Sequence, residues 1–456
     1  MIISIVINII VFVLINFYGL KFLLGGGKYQ VKPAIGKGLW KFTGAEMFVL
    51  LTLGCAMLSA SFGGMLALRL LLWVILVAVG IGQYRARGSW VAFLYGVYYL
   101  WLVIGLTYTP WVEFGLRQLA KYSLPLLLVL FVPRVIKHRE IFHKGVYLVF
   151  VSFMIWAILS GANRLGMGFL TQPIIGVYWW APAILDSYGV ILSICVVRYC
   201  LYRDRRVLWI LPLICVIPAV GYVVRTAFVV LLVASMAMAF FRYKLLSLPY
   251  VVGIIVLGIA LVVLVPGIRE KMFYKDYSSN ELVSGWGNMI SFDSINTNGR
   301  FLTWERLLDL FYHPHPLTGS GLGCQQKFMY AQKDTGWGAG IAHCDYVQIL
   351  CDSGLIGIIL YALTSTAFII SCFFMYNNQT LSFECRYAAF IAGVSLCGLL
   401  AAMMTDNVVN YTMTTLAFPY TFYGIALGIQ RLDKSSKSLQ PSVDYFHVQC
   451  NHTFIQ

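Results

Sequence analysis

Apolar residues dominate the chain in runs near 20 residues, broken by short polar loops. Each run is long enough to cross a hydrocarbon core of about 30 Å. The pattern predicts spans near 2–20, 44–60, 64–82 and 90–106, three ending near 133, 161 and 198, two near 207–222 and 226–241, one ending at 266, and three near 353–375, 386–404 and 411–429. Such a chain is all-α and polytopic, with about 12–13 transmembrane helices. It divides into helices over 1–266, a large loop over 267–352, further helices over 353–430 and a polar tail over 431–456. The first run has no cleavage site of small residues after it and reads as a retained span.

Composition agrees with this reading. Of 456 residues, 60% are hydrophobic and only 11% charged, against about 25% charged in a soluble domain. The formal net charge of +15 raises the question of nucleic acid. However, most Lys and Arg sit in short loops, where basic residues set orientation by the positive-inside rule. No basic patch with interleaved aromatics tracks a phosphate backbone. The loops holding Lys28, Arg85, Lys137, Arg203 and Arg242 are expected inside and the large loop outside.

That loop is the one long polar interval, and its motif-bearing part runs from Asn296 to Tyr361. Trp304, Leu307, Leu308 and Phe311 fall on one face of a helix, which Asn298-Gly299 caps and Pro314 ends. Such a helix is expected to lie along the membrane surface. Arg300 then sits in its first turn at headgroup level, either as an interfacial anchor or as an anion ligand. The run Gly319-Ser-Gly-Leu-Gly323 follows no predicted strand. It reads as a tight turn joining the two loop helices rather than as a nucleotide cradle.

His343 precedes a run that feeds directly into a span. The positive end of the helix dipole disfavours imidazolium there and keeps a neutral base, while free backbone N–H groups can receive an anion. The bland alternative is a capping histidine. Asp345 either orients the ring or serves as a first-turn acid. Arg225 is a lone cation between two short apolar spans, and such charges usually face an interior cavity; the alternative is snorkelling to the interface. Arg117 and Lys121, one turn apart, are weaker candidates for the same anion site. Asp406 reads as a capping residue at the end of a span on the same side. No metal-ligand cluster is evident in the sequence. Cys324, Cys344 and Cys351 fall outside, and spacing alone cannot pair them.

Taken together, Gly299-Arg300, Trp304, His-Pro-Leu running to Gly319-x-Gly321-x-Gly323, His343-x-Asp345-Tyr346 and Gly354-Leu-Ile-Gly357 resemble the O-antigen ligase and O-antigen polymerase family. The resemblance is close over 296–361 and looser elsewhere. It implies a helical glycosyltransferase of the C type in the bacterial inner membrane, acting on the periplasmic face without a metal or other cofactor. The implied donor is a glycan on undecaprenyl diphosphate. The implied acceptor is a lipid-A core sugar or a second lipid-linked glycan, with membrane lipids around and no nucleic acid involved. Carried onto this chain, the resemblance makes His343 the base and Arg225 and Arg300 the diphosphate ligands. Arg117, Lys121, Trp304 and Asp345 are added as substrate-binding candidates. A common form of the family has Asn after the histidine, whereas this chain has Cys344. A lipid-linked glycan flippase is the competing class, but it calls for polar groups near the midplane, where these spans are nearly free of charge.

Overall fold

The computed structural model describes residues 2–25, 27–33, 38–56, 70–78, 81, 89–162, 185–216, 225–264, 300–331 and 342–438. Most of the hairpin expected near 60–64, the outside stretch 163–180, the turn 217–224 and the loop up to Gly299 lie outside the described residues. The described chain is a helical bundle, as its hydrophobic pattern demands. Its helices are α1 (Ile2–Leu24), α2 (Gly44–Cys55), α3 (Trp90–Thr107), α4 (Val112–Val135), α5 (Glu140–Ala162), α6 (Tyr188–Tyr202), α7 (Arg206–Val216), α8 (Arg225–Tyr243), α9 (Leu248–Leu264), α10 (Arg300–Leu307), α11 (Cys324–Ala331), α12 (Asp345–Asn377), α13 (Phe383–Ala402) and α14 (Ala417–Ser438).

Among the described residues, six helical stretches are long and apolar enough to cross a membrane: Trp90–Thr107, Val112–Val135, Glu140–Ile158, Arg225–Ala260, Asp345–Asn377 and Phe383–Ala402. Shorter apolar helices accompany them, so the protein is an all-α polytopic membrane protein. The α9 helix shows where lipid lies. Leu248, Val256, Leu257 and Ile259 are all exposed, as apolar side chains facing hydrocarbon are free to be.

One piece of sheet escaped the span pattern. β1 (Lys28–Val31) and β2 (Trp40–Thr43) pair antiparallel in the lysine-rich loop, with Lys28 opposite Thr43. Thr43 ends the hairpin and starts α2. Its hydroxyl accepts from the Glu46 amide while the Glu46 carboxylate accepts from the Thr43 amide, a reciprocal cap.

Close packing in the centre explains how the helices hold register. Gly424 and Gly428 of α14 face Val132 and Ile136 at the α4 end; a Cβ on either glycine would fall 2.6 Å from its partner's Cβ. Four residues apart, they form the small-residue stripe that lets two membrane helices approach closely. Beside it lies a knot of buried tyrosines. Tyr98 meets Tyr122 edge-on at 5.6 Å and Tyr361 at 5.3 Å, while Tyr95 meets Tyr420 at 5.6 Å. These rings join α3, α4, α12 and α14, and Tyr95 donates its hydroxyl to the Tyr122 carbonyl.

The C-terminal part differs from the span pattern in one respect. The expected polar tail from Arg431 is helical as far as Ser438. Asp433 is buried there, where it pairs with Arg139 at 2.7 Å and accepts from the Ser382 amide. Specific partners keep these polar residues folded against the α4–α5 and α12–α13 turns.

Candidate active site

The glycine run is built into the scaffold rather than open to a ligand. Gly319, Gly321 and Gly323 all have positive φ. A Cβ on Gly319 would lie 2.6 Å from the Ser353 amide nitrogen, and one on Gly321 would lie 2.6 Å from the Thr109 Cα. The turn therefore lies flat between the α3–α4 corner and a break in α12. That break is at Gly354, with φ 66° and ψ −165°. It releases backbone groups that the loop takes up. Ser320 donates to the Cys351 carbonyl, Trp101 Nε1 donates to the Ser353 carbonyl, and the Leu355 amide donates to the Pro316 carbonyl. The expected joining of the two loop helices is thus made through the spans. The half-helix Asp345–Ser353 is fixed in place by its hydrogen bonds.

The same loop seats His343. The α10 helix starts at Arg300 and widens into a π-turn over Leu308–Tyr312. Trp304, Leu308 and Phe311 pack against Leu307, Met329, Val347 and Cys351 in a small core of their own. Trp304 turns its Nε1 onto the Ala342 carbonyl at 2.7 Å. It therefore holds the backbone beside His343. His343 itself has φ 51°, a left-handed conformation uncommon outside glycine. Cys324, Cys344 and Cys351 are buried free thiols.

The His343 ring meets the loop after α13. Its Nδ1 lies 3.4 Å from Asp406 Oδ1 and 3.3 Å from Asn407 Nδ2, while Asp406 also accepts from the Asn407 amide. A carboxylate on Nδ1 favours the tautomer whose Nε2 is the basic nitrogen. Asp406, read from sequence as a cap, is thus the acid behind the imidazole. Asp345 is not. It is fully buried, its Oδ2 accepts from the Val409 amide at 3.0 Å, and its own amide donates to the Met403 carbonyl at 2.9 Å. Asp345 is the first-turn acid of α12. It ties that helix to the Thr405–Tyr411 segment, and its amide is already occupied rather than open to an anion.

Other parts of the chain reach the same segment. Arg300 donates from Nη1 to the Thr405 carbonyl at 2.5 Å. Burial lowers the Arg300 pKa from its usual value, and Asp406 opposes the shift; guanidinium stays charged at any working pH. Thr226, in the first turn of α8, shares a hydrogen bond with the Thr405 hydroxyl at 3.0 Å. This puts Arg225, the first residue of α8, next to a contact with the hub. Lys121 of α4 donates to Asn410 Oδ1 at 2.5 Å. Residues from four distant stretches thus converge on Thr405–Tyr411. Arg117 is not among the hub's hydrogen-bond partners in the described residues. It is exposed, pairs with Glu113 one turn away and stacks over Phe114.

This arrangement places an imidazole in contact with a carboxylate beside a half-buried guanidinium, with a second arginine one residue from the hub contact. It is suited to taking a proton from a weak nucleophile next to an anionic group. Asp406 and Asn407 are the residues that sequence reasoning undervalued. Their signal was the polar run Thr405-Asp406-Asn407 interrupting apolar spans.

Residues 210–362 match the family described as O-antigen ligase. The match contains Arg225, Arg300, Trp304, His343 and Asp345 and stops short of Asp406. No curated protein matches the chain. The family match supports a role of the O-antigen ligase or polymerase type in polysaccharide biosynthesis, with lipid-linked glycans as its substrates. Over that loop and its flanking helices, the chain is similar to the O-antigen ligase/polymerase family.

Proposed function

We propose that the protein is a glycosyltransferase that moves a glycan from an undecaprenyl-diphosphate donor to a sugar hydroxyl at the periplasmic face of the bacterial inner membrane, by a metal-independent, inverting displacement. The observation that carries this reading is the contact of His343 with Asp406, one residue from the carbonyl that Arg300 grips. The acceptor hydroxyl gives its proton to His343 Nε2, and its oxygen forms the new bond to the anomeric carbon. The bond from that carbon to the diphosphate oxygen breaks, and the electron pair leaves with the diphosphate. Asp406 steadies the imidazolium that forms. Arg300 and Arg225 neutralise the departing charge without having to reorganise. A single displacement inverts the anomeric centre. Lys121 adds positive charge behind the hub, and Trp304 and Asp345 hold His343 and its helix in place.

The test is a gel of surface polysaccharide and lipid-linked intermediates from a deletion strain, complemented with wild type or His343→Ala. Long polymer held on undecaprenyl diphosphate identifies a ligase, whereas single repeat units identify a polymerase. Rescue by wild type and not by His343→Ala supports the base. An unchanged glycan profile on deletion contradicts the reading and returns the flippase to the front.

A further inference from the structure

Asp186 lies two residues before α6 and is fully buried. Neither of its carboxyl oxygens has a hydrogen bond. The next residue fixes its place: Ser187 donates its hydroxyl to the Thr414 carbonyl at 2.5 Å, just beyond the hub segment. Among the described residues, the charged and titratable groups that act on Asp186 are Asp406 from the hub and Asp345 from α12; Tyr411 of the hub feels all three carboxyls. Two cations near the hub are committed elsewhere, Arg300 to the Thr405 carbonyl and Lys121 to Asn410. A buried polar group without a partner is rare and calls for an explanation.

The neutral form supplies one. An ionised carboxylate here would be desolvated, without a hydrogen-bond donor and next to two other acids. A protonated carboxyl is a donor, and carboxylate oxygens are the acceptors around it.

We propose that Asp186 carries a proton in the working protein and is a positioning residue for the His343–Asp406 pair. Kept neutral, it leaves Asp406 as the anion behind the imidazole. Once ionised, it repels Asp406, loosens the contact with His343 and sets a second negative charge against the diphosphate. Asp186 thereby imposes the alkaline limit on transfer. This inference rests on the glycosyltransferase reading above. The sign follows from burial without a donor: such a carboxyl holds its proton in the fold and loses it as pH rises.

Two readouts test it. The first is the infrared difference spectrum of wild type against Asp186→Asn at neutral pH without substrate. A protonated-carboxyl band in wild type that disappears as pH is raised is expected, and a carboxylate signature at neutral pH overturns the proposal. The second is the pH dependence of transfer. Asp186→Asn copies the neutral acid in shape, so it is expected to keep the neutral-pH rate to within about threefold and to extend the alkaline plateau by about one pH unit or more. An unchanged alkaline limb, or a uniform loss at every pH in a folded variant, overturns it. The infrared measurement needs no turnover, so it reads Asp186 even where wild type transfers no glycan and the functional reading itself has failed.

Discussion

Two buried acids at opposite ends of the bundle are treated in opposite ways. Glu46, at the start of α2, accepts from the Thr43 amide and hydroxyl, from the Lys137 and His138 amides and from the His138 ring. Asp186, near the His343 end, accepts nothing. The Glu46 end also holds the Arg139–Asp433 pair and the bond from Arg431 to the Ile136 carbonyl. Saturated polar groups lock loops together and stay as they are. Unsaturated ones hold their charge state in the balance, as a site that moves protons requires. The first end is a clasp and the second is a reaction site.

The contrast can be broken by substitution. His343→Ala removes the base, so the transfer rate should fall by about 10²–10⁴-fold, while the melting temperature in detergent stays near that of wild type. Glu46→Ala should do the reverse. It strands several donors at once and is expected to cost about 3–5 kcal/mol of stability, read as a lower melting temperature, with the rate per folded molecule kept. A comparable rate loss in folded Glu46→Ala protein would erase the distinction between the two ends.

Smaller effects sharpen the picture. Gly319→Ala places a side chain at positive φ against the α12 break, and strain of this kind costs about 1–3 kcal/mol. Because the turn seats the half-helix behind His343, both melting temperature and transfer rate should fall. Arg117→Ala removes an exposed ion pair worth at most about 1 kcal/mol. Its activity should stay near that of wild type; a large loss would restore Arg117 as a diphosphate ligand.

How much of this was legible in the sequence depended on distance along the chain. Helices followed from the apolar runs, and the helical face of Trp304, Leu307, Leu308 and Phe311 followed from local pattern. The sequence also put Gly319, Gly321 and Gly323 in a tight turn, but their partners at Thr109, Gly115 and Gly354 lie too far away along the chain to be read. Asp345 and Asp406 show the same limit. Sequence left Asp345 as either the acid that orients His343 or a first-turn acid; α12 turns its carboxylate toward Val409, and the acid that meets the ring lies 63 residues on. The β1–β2 hairpin was missed because short strands in a lysine-rich loop carry no apolar run. The folded tail was missed because its anchors are single ion pairs.

The most direct test of the central claim is a transfer assay with purified protein in defined lipid, an undecaprenyl-diphosphate-linked glycan as donor and a sugar acceptor, comparing wild type with His343→Ala. Wild type should release undecaprenyl diphosphate and form a new glycosidic bond, with folded His343→Ala slower by about 10²-fold or more. Folded His343→Ala that transfers glycan at the wild-type rate would contradict the account.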